Sequence, residues 1–181
     1  MKNIFKITLL FFLITNVNFN ISAQEIIPGA YRINDLKKEI EGKKIGVVAN
    51  HSSIIINKGE FVHLVDSLID LGLDIKKIFS PEHGFKGDRA DGELIKDDKY
   101  RDNIDVISLY GSNKEMKFED INDLDIIIFD IQDVGVRYYT YLSTLHYTME
   151  AVAKADKRII VLDRPNPNSH YIDGPVLDLK Y

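Results

Sequence analysis

Short apolar runs alternate with polar and amphipathic stretches along this chain, and that alternation limits the fold more than any other feature. Lys44–Asn50 (Lys-Ile-Gly-Val-Val-Ala-Asn) reads as a buried strand. Ile75–Ser80, Asp105–Leu109, Asp125–Asp130 and Arg158–Asp163 read as four more. Ile126, Ile127, Ile128 and Phe129 are four consecutive apolar residues, which fits a strand covered on both faces. Between these runs the apolar spacing lengthens to the helical period. Phe61, Leu64, Val65 and Leu68 predict a helix over Glu60–Leu71, closed by Gly72 at the usual C-terminal stop. Leu142, Leu145, Met149 and Val152 predict another over Leu142–Ala155. The fold class is therefore α/β, with a Rossmann-like, mainly parallel sheet and helices on both faces. Gly84–Asn103 is polar and charged and reads as a long loop, of the kind that often carries function.

The N-terminus has a different character. Lys2 and Lys6 precede an apolar run from Ile7 to Ile14, and Ser22-Ala23-Gln24 offers small residues for cleavage. This is the pattern of a secretory signal peptide, and its apolar core is too short for a stable membrane span. Residues 1–23 are thus expected to be removed and the protein exported to the periplasm or beyond. Residues 24–181 form one domain in this reading. Losing Lys2 and Lys6 leaves 21 basic against 28 acidic residues. An acidic chain without a basic tract does not suit nucleic acid. The absence of cysteine excludes disulfides, thiolate zinc sites and a cysteine nucleophile.

In an open parallel sheet, ligands sit beyond the carboxyl ends of the strands. Strand tips in this chain carry chemistry rather than plain turn residues. Asn50-His51-Ser52 follows the first strand and Ser80-Pro81-Glu82-His83-Gly84 the second. The Asp125–Asp130 strand runs into Ile131-Gln132-Asp133-Val134-Gly135-Val136-Arg137-Tyr138-Tyr139-Thr140-Tyr141. The last strand runs into Asp163-Arg164-Pro165-Asn166-Pro167. Arg137 and Arg164 suit a carboxylate held by paired donors, the alternative being salt bridges to Asp133 or Asp163. Tyr138 and Tyr141 offer flat faces with a hydroxyl, with one of the local tyrosines, Tyr139 included, expected in the core. Asn50, Gln132 and Asn166 offer both donors and acceptors. Together these residues fit a sugar bearing a carboxylate. No glycine-rich turn follows the first strand, so neither the dinucleotide fingerprint nor the phosphate loop is present, and no cofactor is expected.

Longer motifs carry a resemblance. Ser80-Pro-Glu-His-Gly-Phe-Lys-Gly-Asp88, Phe129–Thr144, Val161–Pro167 and Asp173-Gly-Pro-Val-Leu-Asp178 resemble the exo-β-N-acetylmuramidases, peptidoglycan glycoside hydrolases. The likeness spans about residues 28–181. It implies an exo-acting enzyme that releases terminal N-acetylmuramic acid from muropeptides. It also implies a second, C-terminal domain in cis or as a separate polypeptide, so that this chain reads as the N-terminal part. The resemblance puts the proposed catalytic glutamate on Glu82, in agreement with its place after a strand between Pro81 and Gly84. Glu82 is the candidate general acid, with His83 to tune it and Asp130 as the candidate second group. The substrate's own acetamido group is an alternative to Asp130. Asn50, Gln132, Asp133, Arg137, Tyr138, Tyr141, Arg164 and Asn166 are the candidate substrate contacts. Two rival readings remain: a muramyl-sugar-binding fragment without turnover, and, ranked lower, a metal-dependent hydrolase using His51, Glu82, His83, Asp88 and Asp130. His146 reads as a surface or packing residue, and Lys76 and Lys77 as solvated.

Overall fold

The structure is a computed structural model that describes residues 25–86, 98–101, 104–111 and 113–180. The signal-like segment lies outside the described residues, as does Asp88. A 3-10 turn, Gly29–Arg32, leads into α1 (Ile33–Ile40). The elements that follow are β1 (Lys44–Ala49), β2 (Ile54–Asn57), β3 (Glu60–His63), α2 (Leu64–Asp70), β4 (Asp74–Ser80), β5 (Asp98–Tyr100) and β6 (Ile104–Ser108). The chain continues through α3 (Phe118–Ile121), β7 (Ile126–Asp130), α4 (Tyr141–Lys154) and β8 (Arg158–Val161).

One six-stranded sheet runs in the order β5-β6-β4-β1-β7-β8. All its pairings are parallel except β5 with β6. The chain steps outward from β1 through β4 to β6, then returns to β7 on the other side of β1. The topological switch therefore falls between β1 and β7. β1 sits in the middle because Ile45, Val47, Val48 and Ala49 need cover on both sides, and all four are fully buried. Ile45, Val47, Ala49, Ile126 and Ile128 face one core layer, closed by Ile33, Ile40, Leu64 and Leu68 of α1 and α2. Val48, Phe79, Ile127 and Phe129 face the other, closed by Ile121 of α3 and by Tyr141, Ala151 and Val152 of α4.

β4 carries a bulge. Ile45 pairs with Ile75, but Gly46 pairs with Lys77, so Lys76 is an extra residue. Strict alternation would place Ile75 and Ile78 on opposite faces. The bulge puts both in the first layer and turns Phe79 to the second. It also takes Lys77 out of the solvent. Its ammonium donates to the Asp120 carbonyl at 2.8 Å and the Asp123 carboxylate at 2.7 Å, which ties β4 to the α3 region. Only Lys76 of that pair is exposed as expected.

Three expectations are corrected. Glu60–His63 is not helical: it pairs antiparallel with Ile54–Asn57 across a turn in which Lys58 and Gly59 both have positive φ. Such a turn matches the twist of two short strands. The helix begins only at Leu64, where the His63 ring nitrogen Nδ1 accepts from the Val65 N–H at 3.2 Å as an N-cap. Phe61 is consequently exposed instead of packed. In the expected loop, Asp98–Tyr100 forms an antiparallel edge strand, strapped to α2 by the Tyr100 hydroxyl donating to Asp66 at 2.7 Å. Finally, α4 buries a different face. Tyr141, Thr144, Thr148, Ala151 and Val152 point inward, while Leu142 and Met149 are exposed. The buried threonines satisfy their hydroxyls inside the helix, Thr148 on the Thr144 carbonyl at 2.7 Å and Thr144 on the Thr140 carbonyl at 3.3 Å.

Ile128→Ala, at a fully buried central position, should lower stability by about 2–5 kcal/mol. Phe61→Ala should move it by no more than about 0.5 kcal/mol, because the ring is 79% exposed on the hairpin. Urea unfolding of both variants checks the pair. A large loss from Phe61→Ala would restore the helical reading of that segment.

Candidate active site

Because β1, β4, β6, β7 and β8 are parallel, their carboxyl ends share one edge of the sheet. Asn50, Glu82, Leu109, Gln132 and Arg164 all follow those ends. The edge divides into a closed part over the switch point and an open part beside it.

Over β1 and β7 the space is filled. Asp130 is fully buried at the last position of β7. Arg164 grips it with both arms, Nε to Oδ1 at 2.6 Å and Nη2 to Oδ2 at 2.9 Å. The same Nη2 donates to the Ile54 carbonyl at 3.1 Å, so the guanidinium also anchors the β2–β3 hairpin. Burial pushes the Asp130 carboxyl above its ordinary value, and the guanidinium pulls against that shift. Asn50, also fully buried, accepts from the Ser52 N–H at 2.9 Å and the Ser52 hydroxyl at 2.6 Å through Oδ1. The Ser53 hydroxyl donates to the Asp130 carbonyl, and Ser52 Oγ accepts from the Gln132 N–H at 3.1 Å. The side-chain amide of Gln132 donates to the carbonyls of Asp133 at 2.6 Å and Pro165 at 2.9 Å. Polar side chains thus occupy the crevice where other sheets of this topology hold a nucleotide.

Asp130, predicted as the second catalytic group, is the buried anchor of the edge in this structure, with both oxygens engaged by Arg164. Arg164, predicted as a ligand clamp, is its counter-ion. The partner is Asp130, neither of the aspartates named as alternatives. Asn50 and the donor end of Gln132, predicted as substrate contacts, brace the loops in this structure. Asp133 accepts from the Gly135 N–H at 3.0 Å, a turn-forming bond. Asn166 Oδ1 accepts from the Asn168 N–H at 2.8 Å and packs against Gly135. An ideal Cβ at Gly135 would lie 2.4 Å from that oxygen, and φ there is +73°. Glycine is required at that point on both counts.

The open part lies between the tips of β4 and β6 and the first turns of α4. A cavity of about 310 Å³ is lined there by Glu82, by Leu109, Tyr110 and Lys114 after β6, and by Thr140, Ser143, Thr144 and Tyr147 around the start of α4. Glu82 is half-buried, and its Oε2 accepts from the Thr140 hydroxyl at 2.7 Å. Of the predicted site residues, Glu82 alone is among those lining this cavity. His83 next to it takes φ +70°, a left-handed conformation uncommon for a side chain larger than glycine. Tyr141 lies beneath, 4% exposed, its ring edge-on to Tyr139 at 4.8 Å. Burial raises its phenol to about 12, so it stays protonated at neutral pH. The Tyr141 hydroxyl and the Asn50 Nδ2 are both buried without a hydrogen-bond partner among the described residues. Tyr138 and Arg137 point elsewhere: Tyr138 is 86% exposed, and Arg137 Nη1 donates to the Pro175 carbonyl at 3.0 Å.

Sequence reasoning missed Tyr110, Lys114, Thr140, Ser143 and Tyr147. The signal was available, because the tip of Asp105–Leu109 obeys the same edge rule as the other tips. Among the described residues no three His, Asp or Glu side chains are grouped to hold a metal ion.

His63 joins the turn that bears Glu82 to the rest of the edge. Its Nδ1 accepts from Val65 N–H, and its Nε2 lies 2.9 Å from the Asn50 carbonyl. Those contacts fit the neutral tautomer with the proton on Nε2. Its ring also stacks edge-on with Phe85, 4.7 Å away in the Glu82 turn. Burial lowers its pKa, opposed by the Asn50 carbonyl and by the charges of Asp66 and Asp130.

Comparison with known proteins bears on this arrangement. The family model described as "Exo-beta-N-acetylmuramidase NamZ, N-terminal" matches residues 45–181. The chain is 38% identical over 151 residues to the peptidoglycan beta-N-acetylmuramidase NamZ of Bacillus subtilis (strain 168), a match covering 81% of this chain and 36% of that protein. It thus spans about a third of the length of that relative. Two crystal structures of DUF1343 family proteins from Bacteroides fragilis NCTC 9343 share the fold. One has 36% identity and a TM-score of 0.69, covering 87% of this chain and 40% of its own. The other has 33% identity and a TM-score of 0.65, covering 77% and 35%.

Arg164→Met should cost about 3–5 kcal/mol, since it strands a buried carboxylate. The Asp130→Leu/Arg164→Met double variant should recover much of that loss, as urea unfolding will show. A second outcome concerns pH. The His63 pKa is lower folded than unfolded, so its contribution to stability is complete above about 6.5 and falls away as pH drops below that value. The urea midpoint should fall between pH 7 and 5.5, and His63→Asn should flatten that part of the profile. An unchanged slope in the variant would remove His63 as its source.

Proposed function

The chain belongs to the exo-β-N-acetylmuramidase family, and from that membership we propose that it acts on peptidoglycan fragments to release terminal N-acetylmuramic acid. The single observation that carries the reading is the Glu82 carboxyl group, fixed by Thr140 at the wall of a cavity of about 310 Å³. That volume lies at the small end of the range of about 300–1,000 Å³ typical of small-molecule sites.

Glycosidic cleavage needs a proton for the departing oxygen and stabilisation of an oxocarbenium-like transition state. Glu82 supplies the proton. The Thr140 bond holds one carboxyl oxygen, which orients the other toward the glycosidic oxygen. Among the described lining residues Glu82 is the one carboxylate. Asp130 is held by Arg164, so it does not serve as the second group. The substrate's acetamido oxygen is then the nucleophile that best fits the site, as in other hydrolases of N-acetyl sugars. Tyr110 and Tyr147 offer the ring faces that pack against a sugar.

Export belongs to the same proposal: the basic start, apolar run and small residues of the N-terminus would carry the chain to the compartment where peptidoglycan lies. A second domain, in cis or on a separate polypeptide, would complete the cleft above the cavity. The alternative is a muramyl-sugar-binding chain without turnover.

The test is to incubate the 181-residue chain with a disaccharide carrying non-reducing terminal N-acetylmuramic acid and to measure the released sugar. Release is expected, and Glu82→Gln should reduce it by about 10²–10⁴-fold without unfolding the protein. Near-normal release by the variant would remove Glu82 from the mechanism. Binding without release would favour the alternative.

A further inference from the structure

We propose that Lys114 is the residue that recognises the carboxylate of the sugar, and so sets the preference for a lactyl-bearing ring over a plain N-acetylhexosamine. The inference rests on the proposed function and assigns a part of the site that the two predicted arginines leave open. Arg164 is committed to Asp130 with both arms, and Arg137 donates to the Pro175 carbonyl away from the cavity. Lys114 lines the same cavity as Glu82, and it is the one cation among the described lining residues. Among the described residues it has no ion-pair partner, so its charge is available to a ligand.

The surroundings favour that use. Leu109, Tyr110 and Tyr147 share the cavity with it and present apolar surface on which a sugar ring can lie. An ammonium beside such walls exerts a stronger field than one in open water, because the walls are poorly polarisable. Glu82 and Lys114 then address two different parts of one ligand. The carboxyl group faces the glycosidic oxygen, and the ammonium faces the acidic substituent. A cation on this wall gives an acidic substituent a counter-charge in the same cavity as Glu82. An ammonium is a point charge with three rotatable donors and does not demand the paired geometry of a guanidinium.

The experiment is calorimetric titration of the 181-residue chain with N-acetylmuramic acid and with N-acetylglucosamine, which has the same ring without the lactyl ether. Wild type should bind N-acetylmuramic acid at least about 10-fold more tightly, which is about 1.4 kcal/mol. Lys114→Met should bring that affinity down to the level of N-acetylglucosamine, whose own affinity should stay within about 2-fold, a difference of less than about 0.5 kcal/mol. Lys114→Arg should keep most of the preference. Added salt should weaken N-acetylmuramic acid binding in wild type more than in Lys114→Met. A preference that survives Lys114→Met would overturn the assignment and leave the proposed function standing. Equal affinity of wild type for the two sugars would do the same. Failure of wild type to bind either sugar would remove the proposed function and this assignment together.

Discussion

The pair formed by Asp130 and Arg164 holds the working edge of this molecule together. It lies where the sheet reverses direction, between β1 and β7, and both partners are almost fully withdrawn from water. Attraction alone does not make such a pair stabilising, because removing two charges from water costs several kcal/mol per ion. What the pair supplies is geometry. One guanidinium fixes the end of β7, the start of the last loop and the β2–β3 hairpin at once. The serines and Asn50 then pack around it, and the crevice that this topology usually leaves open becomes solid. The open cavity lies to one side, between the tips of β4 and β6 and the first turns of α4.

That arrangement explains what the sequence showed and what it hid. The sheet was legible because Ile126–Phe129 has no polar residue, and because β1 is apolar but for Lys44 while β4 keeps Ile75, Ile78 and Phe79. The rule that chemistry gathers at carboxyl ends also pointed to Glu82, which lines the cavity. It did not say which residues at that edge face a ligand and which face one another. Asp130 and Arg164 looked like ligand groups for the same reason that they pair: each needs a charged partner, and the sequence does not tell whether that partner is inside the chain. Lys114 and Tyr147 were overlooked because single lysines and helix-borne tyrosines look like ordinary surface.

The misread segments have equally local causes. In Glu60–Leu71 the apolar spacing is helical throughout, and the turn at Lys58-Gly59 lacks the asparagine that usually marks a two-residue hairpin. In α4, Leu142, Leu145 and Met149 outweigh Thr144 and Thr148 on any hydrophobicity scale. Yet the threonines are the buried ones, because each hydroxyl bonds to a carbonyl one turn back and leaves its methyl to pack. Polarity in a side chain is a cost of burial only when no acceptor lies within reach.

One surplus lysine in β4 has a wider consequence. Lys76 has no counterpart in β1, and every residue after it points to the side opposite to the one that plain counting assigns. Deleting Lys76 would keep Ile78 beside Val47 and Phe79 beside Val48, whereas forcing Lys76 into a regular pleat would swap the destinations of Ile78 and Phe79. The face that each residue near the tip of β4 presents is thus decided several residues upstream, at the ~3.3 Å that each extended residue spans.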